Sequence, residues 1–192
     1  MIIGLLGAHR TGKTTLAKAT AEASGIRFMQ VQLSEANRIL GFDSSKQDYS
    51  FKERRQIQDG LLNYMAELLA VSANGNVIYD RTPLDLIGYT VSLANSNVLD
   101  QDDEIWLQKF ISDCHALTNH YFHKVFLVQP GIPLEYNPKS AAPQPGYINH
   151  LNYIYLGVVY ELSMRTTAYV IPLWITDLDQ RINFILKNSG VY

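Results

Sequence analysis

Cysteine occurs once, at Cys114, so the chain can close no internal disulfide, and the stapled frameworks of small secreted domains are excluded. Long apolar runs are also missing. The N-terminal one ends after six residues, and no later one approaches the ~18 residues that a membrane span needs. No signal-type segment is recognisable, so a soluble, cytoplasmic protein with no membrane partner is expected. Neither sign of charge dominates: 16 Lys and Arg against 18 Asp and Glu leave −2, which gives no global footprint for nucleic acid. Internal repeats and interdomain linkers are absent. What is present, 192 residues with 47% hydrophobic and 18% charged, suits one globular domain over residues 1–192.

Five apolar, β-branched runs read as buried strands: residues 1–6, 27–33, 76–80, 124–128 and 168–174. Helical segments alternate with them. The first ends at Ser24-Gly25, and Ser34 is expected to cap a short one closed by Gly41. Residues 50–73 form a long helix through Ile57, Leu61, Leu62, Met65, Leu68 and Leu69. Pro83 opens a helix to about residue 94, and Asp100 to Asp103 lead into another to about residue 121, whose Phe110 and Cys114 mark a buried stripe. A tyrosine-rich helix spans residues 148–167, and a last helix starts at Thr176 or Asp177 and stops at Gly190. Prolines gather in residues 130–147, a stretch with no hydrophobic period that is expected to be a lid-like loop.

One motif organises the rest. Gly7-Ala8-His9-Arg10-Thr11-Gly12-Lys13-Thr14 satisfies G-x-x-x-x-G-K-[ST] and sits between the first strand and the first helix. Glycine at positions 7 and 12 lets successive N–H groups converge on an anion, and the helix N-terminus adds its partial positive charge. Lys13 is expected over the β- and γ-phosphates, and the Thr14 hydroxyl on Mg²⁺. Gly7, Arg10, Thr11, Gly12, Lys13, Thr14 and Thr15 thus form the expected nucleotide-binding set, the His9 and Arg10 side chains being exposed loop residues. The fold expected is a three-layer P-loop NTPase fold: five parallel strands in the order 2-3-1-4-5 with helices on both faces.

Further polar residues fall at the carboxyl ends of the same strands. Asp80 closes Val77-Ile78-Tyr79, the setting of a carboxylate that holds Mg²⁺ or caps the next helix. Arg81 is placed to neutralise a transferring phosphoryl group, or to pair with Asp85 at the surface. Glu35 is placed to accept the proton of an acceptor hydroxyl, although Glu35 and Arg38 also stand at i,i+3 as a helix-surface pair. Gln56 or Gln58 can offer an amide to a base edge. His115, His120 and His123 share no helical face and are read as structural or surface residues. Tyr147, Tyr153, Tyr155 and Tyr160 are read as core by default.

Residues 7–14, Glu35-Ala36-Asn37-Arg38 and Asp80-Arg81-Thr82-Pro83-Leu84-Asp85 together resemble the small P-loop kinase group that includes thymidylate kinase, deoxynucleoside kinases and the ribosylnicotinamide kinase-type AAA proteins common in phages. The resemblance implies an ATP- and Mg²⁺-dependent kinase. Lys13, Glu35, Asp80 and Arg81 would be catalytic, Thr14 and Asp80 would bind metal, and Glu35, Arg38, Gln58 and Lys139 would line the acceptor. Such kinases carry arginines in a lid after the fourth strand, whereas residues 129–160 contain none; Arg165 lies further on. The acceptor would be a nucleoside or nucleotide. An alternative is a hydroxymethylated pyrimidine within phage DNA, gripped by Lys46, Lys52, Arg54 and Arg55; a second is a nucleotide-dependent switch with no acceptor. The helices at 83–94 and 102–121 are the candidate face of a homodimer.

Overall fold

The structure is a computed structural model and describes residues 1–42, 49–95, 98–134, 144–161 and 166–191. Five strands, β1 (Ile2–Leu6), β2 (Arg27–Met29), β3 (Val77–Tyr79), β4 (Lys124–Val128) and β5 (Thr167–Ile171), form one parallel sheet in the order β2-β3-β1-β4-β5. Among the described residues seven helices accompany it: α1 (Lys13–Ser24), α2 (Leu33–Ile39), α3 (Phe51–Ser72), α4 (Pro83–Ala94), α5 (Gln101–Tyr121), α6 (Pro145–Glu161) and α7 (Leu178–Ser189). The expected architecture and strand order are therefore those of the protein.

Period-two alternation splits the strand side chains between two cores. Ile2, Leu6, Val77, Tyr79, Val125 and Leu127 face α3 to α6, while Ile3, Leu5, Ile78, Phe126 and Val128 face α1 and α7. Both faces are covered, which is why β1 is buried along its length and reads as an unbroken apolar run.

Several boundaries differ from expectation, each for a local reason. β2 stops at Met29, not residue 33, because the Val31 N–H turns to the Asp80 carboxylate at 2.8 Å and leaves the ladder. The short helix α2 begins at Leu33 after Gln32, so Ser34 lies inside its first turn and caps nothing. α6 begins at Pro145, a residue suited to a first helical turn, is described as far as Glu161, and does not reach Thr167, which opens β5. β5 ends at Ile171 because Pro172 has no N–H to extend the ladder, and Ile175 N–H folds back to the Pro172 carbonyl at 3.0 Å. Of the two helices expected at a dimer face, α4 is the more enclosed. Eight of its residues are buried, and it is sandwiched between α3, α5 and α6. Tyr155 is core, but Tyr153 and Tyr160 are exposed. His123 takes a structural part, accepting the Ile2 N–H at 3.1 Å. Lys46, Arg165, Lys139 and the centre of the Pro-rich stretch lie outside the described residues.

Candidate active site

The P-loop follows directly from β1. Gly7 has φ 150° and a Cβ there would stand 2.5 Å from the Val128 carbonyl oxygen; Gly12 has φ 86°. Arg10 also adopts a left-handed φ of 64°, a conformation that costs a non-glycine residue about 1 kcal/mol or more. The run ends on α1, whose N-terminus differs from those of its neighbours. α3, α5 and α7 begin with Ser50, Asp100 and Asp177 accepting a first-turn N–H, and each carries an acid in that turn. α1 has neither a side-chain cap nor a first-turn acid. Its first N–H groups therefore have no side-chain acceptor, the arrangement that suits an incoming anion.

Lys13 is 6% exposed. Its Nζ donates to the Gly7 and Ala8 carbonyls at 2.5 and 2.8 Å and lies 3.7 Å from Asp85 Oδ1. Burial draws its ammonium down to about 8, against the upward pull of the Asp85 and Asp80 carboxylates. Asp85 was read from the sequence as a surface partner for Arg81; instead it is 0% exposed and stands behind the P-loop lysine. The signal was the T-P-L-D spacing. Thr82 and Asp85 form a capping box in which Asp85 Oδ2 accepts the Thr82 N–H at 2.8 Å, and this fixes Oδ1 toward Lys13. Burial raises the Asp85 carboxyl above its ordinary range, with Lys13 and Arg81 opposing.

Asp80 caps nothing. Its Oδ1 accepts the Val31 N–H and its Oδ2 accepts the Thr14 hydroxyl at 2.7 Å. A hydroxyl and a carboxylate oxygen side by side at a phosphate site are two hard donors that fit Mg²⁺, which takes few protein ligands and keeps water and phosphate oxygens in the rest of its shell. No group of three or more His, Cys, Asp or Glu able to hold a metal occurs among the described residues, so an all-protein cage is not on offer there.

Arg81 stands where three cavities meet. One, of about 640 Å³, is lined by Thr14, Asp80, Glu35 and Arg38. A second, of about 500 Å³, runs over Gly12, Lys13, Thr14 and Thr15. The third, of about 380 Å³, lies under Asn37, Phe42, Tyr49 and Gln58. Ser34 and Arg81 line all three. The Arg81 guanidinium makes no hydrogen bond to a described residue. Burial works against its charge, but Asp85, the tyrosine hydroxyls and Asp80 outweigh it and raise its pKa.

The acceptor side is looser. Glu35 and Arg38 form a bidentate pair at 2.5 and 3.0 Å on the surface of α2 at the mouth of the first cavity, and Arg38 holds the Glu35 carboxyl below its usual range. Gln58 is buried, with its Oε1 unpartnered in the wall of the third cavity, whereas Gln56 is exposed. His9 and Arg10 are half-buried rather than exposed. The His9 ring lies 5.9 Å from Tyr147, and the His9 backbone N–H donates to the Tyr89 hydroxyl at 3.1 Å. Tyr89 in turn lines the third cavity, and burial pushes its phenol up to about 12. Tyr89 belongs to no motif and has no expected part in the site, and Ser34 is expected only as a helix cap.

Fold and loop define a P-loop nucleotide-binding protein of the three-layer α/β type. A family model described as "AAA domain" matches residues 2–142, and the chain belongs to that family. Among solved structures, deoxyadenosine kinase from M. mycoides with bound dATP is similar over 99% of this chain and 100% of that one, with TM-score 0.70 and 15% identity. Thymidylate kinase from Candida albicans is similar over 100% and 93%, with TM-score 0.67 and 11% identity. NadR protein in complex with NR is similar over 100% of this chain and 50% of that one, with TM-score 0.65 and 14% identity. No curated protein matches the sequence. The shared fold is that of the group which the three sequence motifs resemble.

Proposed function

We propose that the protein is an ATP- and Mg²⁺-dependent phosphotransferase that moves the γ-phosphoryl group to a nucleoside, a nucleotide or a related acceptor. The observation that carries this reading is Arg81, a partly buried guanidinium with no hydrogen bond to a described residue, at the junction of the phosphate, Thr14–Asp80 and Gln58 cavities. A switch that only binds and hydrolyses a nucleotide has no need of the third cavity.

In this reading the loop N–H groups from Gly7 to Thr15 hold the β-phosphate, and Lys13 leaves the Gly7 and Ala8 carbonyls to bridge the β- and γ-phosphates. Thr14 and Asp80 hold Mg²⁺, which when bound neutralises phosphate charge. Arg81 faces the equatorial oxygens of the transferring group. Glu35 accepts the acceptor's hydroxyl hydrogen bond in place of Arg38 and takes the proton late, since the attacking oxygen becomes acidic only as its bond to phosphorus forms. Gln58 reads the base edge, with Arg38 at the rim. Catalysis is by position and charge, with no covalent intermediate.

A polymeric acceptor finds less support. Arg55 is paired with Asp103 at 2.7 Å and Arg54 Nε donates to the Tyr49 carbonyl at 3.1 Å, and the cavity that Lys52 and Arg55 line also carries Asp100, Asp102 and Asp103, which repel a phosphate backbone. The test is ATP consumption with mass-spectrometric product detection on pooled nucleosides, nucleoside monophosphates, nicotinamide riboside and DNA with or without hydroxymethylated bases, using Lys13→Ala as the blank. A Lys13-dependent phosphorylated small molecule is expected. Hydrolysis with no phosphorylated acceptor would sink the kinase reading in favour of the switch.

A further inference from the structure

Arg181 belongs to no motif and lies 170 residues from the P-loop, yet it touches that loop. It sits in the first turns of α7, the helix end least favourable to a cation, and is 3% exposed. No carboxylate pairs with it among the described residues, and burial alone lowers its pKa. A buried unpaired charge is costly, so its donors must be satisfied in another way. They are. Nη1 donates to the Thr11 carbonyl at 3.0 Å, Nη2 to the Gln129 carbonyl at 3.3 Å and Nε to the Ile175 carbonyl at 2.7 Å. These three oxygens belong to the segments that leave the carboxyl ends of β1, β4 and β5. Gln129 is itself fixed, by its Nε2 to the Ile171 carbonyl at 3.0 Å and by Asn152 of α6 to its Oε1 at 3.2 Å.

The contact to Thr11 has a geometric consequence. A trans peptide points its C=O and the following N–H in opposite directions. Holding the Thr11 carbonyl back against α7 therefore aims the Gly12 N–H forward, into the concavity where the phosphate sits. The left-handed φ at Gly12 adjoins this peptide, and glycine lets it otherwise flip at little cost. We propose that Arg181 is a positioning residue for nucleotide: its planar fork clamps the back of the P-loop to the β4 and β5 exits and so sets the phosphate-facing orientation of the loop's N–H groups. The inference rests on the nucleotide-binding reading of the site.

The same geometry separates positioning from charge. A lysine keeps the charge but cannot span three carbonyls from one plane. Arg181→Lys and Arg181→Met are both expected to weaken binding of ATP, and of inorganic triphosphate, at least tenfold by calorimetry. In turnover they raise the KM for ATP by a similar factor while kcat at saturating ATP and the acceptor KM stay within threefold. Thermal melts without nucleotide identify a temperature at which each variant is folded; should Arg181→Met not fold, Arg181→Lys decides alone. Variants that melt earlier but bind triphosphate like the wild type would show a merely structural clamp and overturn the inference while leaving the proposed activity intact. Retained affinity in Arg181→Lys with loss in Arg181→Met would overturn it in favour of charge. A wild-type protein that binds no triphosphate at all would overturn both readings together.

Discussion

The two halves of the cleft are built differently. On the phosphate side, Lys13, Asp80 and Asp85 are 6%, 2% and 0% exposed, and they stand at the start of α1, just past β3 and in the capped first turn of α4. On the acceptor side, the Glu35 and Arg38 side chains are 44% and 75% exposed, on a seven-residue helix that buries one residue, Ala36. β3 is wholly buried, whereas neighbouring β2 is a three-residue edge strand. Phosphate chemistry is the same whatever the acceptor, and it gains from dipoles that need no reorganisation. On the proposed reading, acceptor recognition falls on the element with the fewest constraints. A kinase built this way keeps its catalytic half fixed and varies its substrate on the edge of the sheet.

If the contrast is real, substitutions on the two sides separate by size and by the quantity they change. Arg81→Ala, at the junction, has the largest expected effect: kcat falls roughly a thousandfold, as when an arginine that stabilises transferring phosphate is removed, and single-turnover kinetics with unchanged ATP binding would confirm it. Asp85→Asn comes next and strikes stability as well as activity. It leaves a buried ammonium without its counter-charge, which costs about 3 kcal/mol, and urea unfolding measures the loss. A protein as stable as wild type would mean that Lys13 is already satisfied by the Gly7 and Ala8 carbonyls.

Gln58→Leu belongs to the acceptor side. The acceptor KM is expected to rise about tenfold, equivalent to one lost hydrogen bond of about 1.4 kcal/mol, with the KM for ATP unmoved; equal rises in both would dissolve the division between the halves. Arg38→Ala should change least. No loss of stability is expected from breaking so exposed a pair. The Glu35 carboxyl should return upward toward its ordinary range, so that protonation on acidification begins at higher pH than in the wild type, which an NMR titration of the side chain reads directly.

Much of the phosphate side was legible because its residues are tied to each other locally. Residues 7–14 lie within one strand–loop–helix unit, and Asp80-Arg81 follow a strand whose apolar run is unmistakable. Glu35 was legible only as two alternatives; the structure shows the i,i+3 pair with Arg38 and puts it at the mouth of the first cavity. Gln58 could be told from Gln56 only once α3 was packed, since the two stand about 200° apart around the helix and its rotation decides which amide meets the cavity. The boundary of β2 was missed because a side chain, Asp80, takes the N–H that would have extended the strand.

The sequence by itself determined the anion-binding loop, the five strands and the parallel α/β alternation, because each depends on residues close together and on periodicities that the backbone imposes. Only the tertiary structure decided which distant groups meet. That Asp85 stands behind Lys13 and that Arg181 clamps Thr11 depend on helices crossing the sheet from elements 72 and 170 residues away from those partners. No local pattern encodes such meetings. They follow from burying two apolar faces of one sheet, which brings the carboxyl ends of its strands, and whatever charges they carry, to a single edge.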